Sequence, residues 1–594
     1  MRRSNYARAA ALGLGSCCAL LCAPLWAGRV VQDGVVLDGV PPLSASIGAG
    51  LARYHSGSEA RLLDWFSDGG LLVSAHEAAQ DQLLRLTGSP PLPLPLGAPT
   101  GQVAAASTPS FHSDWVAVLA GGALSSTALD GGATKLLVNA AARPGTPVWA
   151  HDGQRLAFSA ALRDAGHNDL YTLDTTASAG PRLVASGDAS AWQVLAWTSA
   201  DRSLLVRHSL AGLGHELLLV DVDTGAARRV DAPGPGATGY ANIGEARLAP
   251  DNRGIYLITD RGSDHDQLQY LDLYASSTQE LQPTLGHEIE HFDVSADGRL
   301  LAFSWNEAGY SRIALLDRPT NQLSTLANLP PGVVGALRFD RAGARLAIEL
   351  AASAAPRDVY VYDLATSAST RWTSSQLGDF TAAQLVAPQT VRFPTWDRPY
   401  GSARTLSALL YRPRSAGPHP VLIMLDGGST PLRAQLDPFV QYCVNELGIT
   451  VVQPGIRDGE PGILDLGALL AWLGVQPDMR RDRIAMLGRG AGGAVALAGL
   501  GLYGDRLRAA VSIDGMASAA QLMPIRRPVL LVRGLLEPAL DAGSAEQVLW
   551  RLRSAKVNSG LVAPSNLHAT LASPVERATA ERVIAQFVAS QLGE

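Results

Sequence analysis

The sequence predicts a seven-bladed β-propeller followed by an α/β domain whose sheet is mostly parallel. Three observations carry this. A unit of about 40–50 residues repeats through the first half. After about residue 380, apolar runs of strand length alternate with helical runs, the pattern of a parallel sheet covered on both faces. Within that second half, Gly488-Arg489-Gly490-Ala491-Gly492 stands between a strand-like and a helix-like run.

In chain order, the first 27 residues read as a secretory signal. Arg2, Arg3 and Arg8 precede an apolar stretch from Ala9 to Leu25, and Leu25-Trp26-Ala27 offers a cleavage site before Gly28. An uncleaved N-terminal anchor is the minor alternative. No later apolar run approaches the length of a membrane span. The chain is therefore expected to be exported, periplasmic or secreted, with no stable span once the signal is removed.

The propeller is expected over 36–380. Each unit has an apolar strand, a tight turn of Asp-Gly type, a second strand, a polar loop and a strand ending in Asp. The clearest copies are Pro147–Phe158 with Asp169–Asp174, Phe292–Phe303 with Ile313–Asp317, and Leu337–Ile348 with Val359–Asp363. Weaker copies begin near Arg61, Thr108, Gln193 and Glu245, which brings the number to seven. Asp-Gly suits a hairpin turn, and apolar alternation suits half-buried strands. One such blade cannot bury both faces; a closed ring of blades can.

The α/β domain is expected over 385–594. Val421–Leu425, Ile449–Gln453, Ile484–Leu487, Ala509–Ile513 and Val529–Arg533 read as strands. Leu436–Leu447, Asp465–Leu473, Gly493–Leu502, Ser544–Arg553 and Pro574–Leu592 read as helices.

Composition narrows function. With 47% hydrophobic and 17% charged residues the chain can bury large cores. A net charge of −6 without a basic run argues against a nucleic-acid partner. Three of the four cysteines lie in the leader, so the mature chain keeps only Cys443 and no intrachain disulfide; Cys443 reads as a buried small hydrophobe. The twelve histidines form no metal-ligand motif, so neither a metal nor another cofactor is expected.

The Gly488–Gly492 stretch has the spacing of a nucleophile elbow, G-x-S-x-G, in which a sharp strand-to-helix turn presents a serine. Here Gly490 occupies the serine position, and the mature chain has no other match to the pattern. Together with Pro420–Gly428, Gly448–Pro454 and Arg457, Asp465–Trp472, Asp482–Gly488 and Pro528–Gly534, the architecture resembles the prolyl oligopeptidase family of serine peptidases, a propeller joined to an α/β-hydrolase domain. The resemblance covers nearly the whole mature chain. It implies Ser, Asp and His in that order. The positions here are Gly490 (a vestigial nucleophile position), Glu537 and His568. It also implies an oxyanion hole from the backbone of Gly427, Gly428 and Ala491. The family's His-Gly-Gly-Pro is here Asp426-Gly427-Gly428-Ser429. Asp426 either faces the site, where its charge would oppose an oxyanion, or caps a turn. Glu537 and His568 either still pair or are remnants on a loop.

Three functions follow. The first is an impaired or inactive exported homologue that binds a peptide or small acyl ligand in the inter-domain cavity. The second is an active hydrolase using another nucleophile. The third is a propeller interaction scaffold.

Overall fold

The computed structural model describes residues 28–593 apart from 78–79, 89, 98, 110–114, 131–132, 178, 211–213, 232–239, 264, 282–285, 399–403, 428–430, 536–541 and 567–569. Seven four-stranded antiparallel sheets form the blades, spanning 59–97, 103–138, 148–185, 192–229, 243–280, 289–325 and 333–371. The repeated sequence features have direct structural roles. Gly153, Gly298 and Gly343 take positive φ (70°, 71° and 66°) in the turns after the first strand, where a side chain would be strained. The aspartates that end the third strands, such as Asp221, Asp272 and Asp363, accept N–H bonds from the next two or three residues and so shape the turn into the fourth strand.

Each blade comes from one contiguous stretch, so the ring closes by side-chain packing between the first and last. Leu62, Trp65, Leu71 and Val73 pack on Ala347, Val359 and Val361. The closure repeats a bond used between other neighbours. Trp65 Nε1 donates to the Arg338 carbonyl of blade seven, as Trp149 does to Ser107 of blade two and Trp197 to Val148 of blade three, each at 3.0 Å.

The second unit is a ten-stranded sheet. Its elements are β1 (Val30–Gln32), β2 (Val35–Asp38), α1 (Ala45–Tyr54), β3 (Gln389–Pro394), β4 (Thr405–Tyr411), β5 (His419–Leu425), α2 (Pro438–Asn445), β6 (Thr450–Pro454), α3 (Gly459–Leu473), β7 (Met479–Arg489), α4 (Ala491–Leu502), β8 (Ala509–Ile513), α5 (Ala519–Leu522), β9 (Val529–Val532), α6 (Ala542–Ser554), β10 (Ser559–Pro564) and α7 (Pro574–Leu592). The strand order is β1-β2-β10-β9-β8-β7-β5-β6-β4-β3. The six strands from β10 to β6 run parallel, and antiparallel pairs close both edges. Two apolar layers, one on each face, bury the sheet. Among the described residues no helix is long and apolar enough to cross a membrane. The leader, residues 1–27, lies outside the described residues.

One boundary is corrected. The propeller begins at Glu59, and residues 36–54, expected within it, belong with 30–35 to the α/β unit. β2 pairs with β10 from Val35↔Pro564 to Asp38↔Leu561. α1 buries Leu51 and Tyr54 beside Phe439, Tyr442 and Val583. Arg582 of α7 donates to the carbonyls of Leu43 and Ser44 at 2.9 and 2.8 Å. Strands as short as β1 and β2 carry no readable period; β2 is placed by a pairing partner more than 500 residues away, and β1 pairs on β2.

Candidate functional site

The site grows from the end of β7. This strand lies mid-sheet between β5 and β8, with Leu425↔Gly488 and Arg489↔Ile513 in register, so the turn after it opens at the carboxyl edge of the parallel strands. Ligand sites in open α/β sheets form at this edge. Gly490 makes the turn at φ 53° and ψ −122°, and α4 starts at Ala491. Its N–H donates to the Ile513 carbonyl (2.8 Å), and its own carbonyl accepts from Gly493 N at 3.0 Å.

The glycines around the turn are not equivalent. A Cβ on Gly488 would overlap the Gly492 carbonyl, and one on Gly492 would overlap the Leu425 carbonyl. One on Gly493 would meet Ser512 Oγ at 2.7 Å and Gly515 Cα at 2.9 Å. At Gly490, nothing lies within 4 Å of the Cβ position. Packing therefore demands three of these glycines. At Gly490 the only obstacle to a side chain is the backbone conformation.

Of the expected oxyanion donors, Gly427 lies against Ala491: its Cβ position is 3.3 Å from Ala491 Cβ and 3.8 Å from Ala491 N. Gly428 and Ser429 lie outside the described residues. Asp426 turns toward the elbow, where it meets the Arg489 guanidinium at 3.5 Å. With both partners partly exposed, this ion pair is weak.

Glu537 and His568 also lie outside the described residues, but the chain flanking them is tied together. Asp514 accepts the N–H groups of Gly534 and Leu535 at 2.6 and 2.9 Å. Leu571 donates to the Gly534 carbonyl at 2.6 Å. Sequence reasoning passed over Asp514; its only signal was its place at the end of β8, two residues after buried Ser512.

Cavities border the elbow on both sides. One of about 210 Å³ is lined by Leu487, Arg489, Ile513, Phe439, His55 and Glu581 among others. A second, about 190 Å³, is lined by Arg489, Asp426, Arg433, Gln435 and Asp437 among others. A third, about 290 Å³, shares His55 with the first and Gln435 with the second, and reaches Glu59 and Arg357 of the propeller. The seam between the units is pinned nearby: Asn306 Nδ2 donates to the Leu432 carbonyl (2.8 Å), and Arg433 pairs with Glu290 at 3.3 Å.

His55 and Glu581 were not expected from the sequence, because α1 and α7 meet only in the fold. Their side chains bond at 2.7 Å. This bond, joined by the charges of Glu581 and Asp437 and opposed by burial, raises the His55 pKa above 6.5. A raised histidine contributes stability that is present below the unfolded value and lost as pH rises through the folded one. The stability advantage of wild type over Glu581→Gln is expected to be about 0.5 kcal/mol at about pH 6 and absent at about pH 9, because half-exposed His55 is screened. Urea titrations at the two pH values check it.

Arg457, singled out in the sequence, holds the loop after β6. It grips Asp465 of α3 with Nε and Nη2 at 2.8 and 2.6 Å, and Nη1 reaches Asp397 at 3.0 Å. Asp465 is fully buried. α3 starts at Gly459, six residues before the expected Asp465, because Pro461 falls within the first turn, where a missing N–H costs nothing. Arg457→Gln strands a buried carboxylate and is expected to cost about 2–3 kcal/mol, read as a shift in urea midpoint.

Two further side chains near the site, Cys443 and Ser512, have plain structural roles. Cys443 is fully buried, and burial pushes its thiol pKa well up. Ser512 is buried inside β8 and donates to the Gly515 carbonyl at 3.2 Å. Among the described residues no group of three or more His, Cys, Asp or Glu side chains is placed to hold a metal ion.

No protein-family profile matches the chain, and no curated protein matches it. Solved structures do. A structure from a study of two prolyl endopeptidases aligns with a TM-score of 0.71 at 12% identity, covering 92% of this chain and 91% of its own. A puromycin-hydrolysing peptidase of Mycobacterium tuberculosis gives 0.70 at 16%, covering 93% and 97%. An acylaminoacyl peptidase of Pyrococcus horikoshii gives 0.71 at 13%, covering 92% and 97%. Over nearly its whole described length, the chain has the fold of the prolyl oligopeptidases and acylaminoacyl peptidases: a seven-bladed propeller followed by an α/β-hydrolase unit.

Proposed function

We propose that this protein is a catalytically silent, exported counterpart of the peptidases that share its fold, holding a peptide or related acyl ligand in the seam between its two units without cutting it. One observation carries the reading. The strand-to-helix turn is sharp, at φ 53° and ψ −122°, and closely packed around its glycines, yet at Gly490 it presents no side chain. Glycine offers no atom to attack a carbonyl, and removing the serine from such a site typically costs about 10⁶ in turnover. The Asp426 carboxylate beside the elbow supports the same reading, since negative charge there disfavours a developing oxyanion. The cavities running from the elbow to the propeller supply the binding space. The leader reading supports export.

A fluorophosphonate probe tests the proposal. Purified protein is expected to take up no label and to leave a peptide library intact. Labelling of any residue in the α/β unit, or turnover abolished by His568→Ala, would sink it in favour of an active hydrolase.

A further inference from the structure

All seven blades contribute to the wall of a channel of about 630 Å³ along the propeller axis, large enough for the end of a peptide. Four arginines and four carboxylates face into it, yet two of the arginines have no ion-pair partner among the described residues. Arg207, Arg247 and Arg338 enter from blades four, five and seven. Arg207 Nη1 donates to the Ile243 carbonyl and Nη2 to Gln193 Oε1, both at 2.7 Å, while its Nε is buried with no partner. Arg338 donates to the Leu337 carbonyl at 2.8 Å. Among the described residues neither Arg207 nor Arg338 forms an ion pair within 4.0 Å.

Two carboxylates, Glu245 and Asp293, stand near them, and Glu245 Oε2 is buried with no hydrogen-bond partner. Arg247 is 3.6 Å from Glu245 and 3.7 Å from Asp293, longer than a hydrogen bond in both cases. Glu245 takes a 2.8 Å bond from His291, and Asp293 accepts the Phe339 N–H at 2.8 Å. Burial pushes the Asp293 carboxyl pKa up, whereas Glu245, despite its burial, is held down to about 2 by the His291 bond and the charges of Arg247 and Arg338. Burial, and after it the neighbouring Arg338 charge, lowers the Arg247 pKa against the opposing charges of Glu245 and Asp293. The other acids of the wall are held elsewhere: Asp64 by the Thr108 N–H and hydroxyl and by Arg341 at 3.7 Å, Asp340 by Arg345 at 2.9 Å.

Carbonyl partners give a guanidinium hydrogen bonds but no countercharge. Its planar fork matches a carboxylate, and a narrow low-dielectric channel strengthens that attraction. We propose that Arg207, Arg247 and Arg338 form a carboxylate-recognition site in the propeller channel, which takes the α-carboxylate or an acidic side chain of a peptide. This rests on the peptide-holding function above and adds the chemistry that selects the ligand.

Calorimetric titration of the full chain tests it with four probes: tetra-alanine as free acid, the same peptide amidated, an acetylated and amidated peptide containing one glutamate, and succinate. The free acid is expected to bind at least about tenfold tighter than the amide, a preference that Arg338→Gln and Arg207→Gln reduce to about twofold or less. Arg338→Lys, which keeps the charge and loses the fork, is expected to fall between; thermal midpoints confirm that each variant is folded. Tighter binding of the glutamate peptide than of the plain amide places the recognised group on a side chain, and tighter binding of the free acid places it at the terminus. Equal binding of all three peptides overturns the anion site and leaves the peptide-holding function intact. Succinate binding lost in Arg338→Gln, with no peptide binding, keeps the anion site and sinks that function. No binding of any probe overturns the proposal.

Discussion

Gly492→Ala is expected to cost more than about 4 kcal/mol and to lower soluble yield sharply, whereas Gly490→Ala costs only about 1–3 kcal/mol. Both changes add one methyl group two residues apart in the same turn. At Gly492 the methyl would overlap the Leu425 carbonyl at the end of β5, a backbone atom held by the parallel ladder. Neither β5 nor the first turn of α4 can retreat without breaking the buried packing of Leu425, Val495 and Ala496. At Gly490 the methyl meets open space, and the penalty is that of a non-glycine residue at φ 53° and ψ −122°. Calorimetric unfolding of the two variants beside wild type measures the contrast. A Gly492→Ala protein within about 1 kcal/mol of wild type would show that the elbow is not packed as described.

Gly490→Ser is expected to gain fluorophosphonate labelling that wild type lacks, with slow cleavage of peptides or esters at least about 10²-fold above wild type. The serine Cβ would enter unoccupied space at the start of α4. The turn therefore has room for a serine side chain, at a cost of about 1–3 kcal/mol in strain. Its hydroxyl needs a base. His568 and Glu537 lie outside the described residues, but the Leu571–Gly534 bond and the grip of Asp514 on Gly534 and Leu535 join the stretches that flank them. Adding His568→Ala to Gly490→Ser is accordingly expected to abolish the new label. A folded but unlabelled Gly490→Ser protein would mean that no base reaches the elbow; relabelling after Asp426→Asn would assign the block to that carboxylate.

The two outcomes separate architecture from chemistry. If Gly492 proves indispensable while Gly490 accepts a side chain, the strand–turn–helix device has been kept for packing and its nucleophile position left open. That is the direction expected where a catalytic residue sits in a strained conformation and stability improves when it is lost.

Much of this molecule was legible in its residues because the governing interactions are local. The turn glycines and the strand-ending aspartates act within a few residues of themselves, so each blade announces itself in sequence. Ala509–Ile513 and Pro574–Leu592 begin and end where apolar runs and the Ser573–Glu576 capping box require. Gly490 was readable for the same reason: an elbow is a short-range pattern.

Tertiary structure alone decided what depends on distant partners. It placed residues 36–54, expected in the propeller, in the α/β unit, where β2 pairs with β10. It set His55 against Glu581 and Asp397 against Arg457, pairs that no spacing reveals. It turned Asp426 toward Arg489, where the sequence left two readings open. It also gathered arginines from three blades around one channel, each an ordinary residue in its own repeat. Sequence determines elements whose energy is spent within a turn or a hairpin; charge balance, edge pairing and cavities arise from sums over groups far apart in the chain, and these became visible only once the chain was folded.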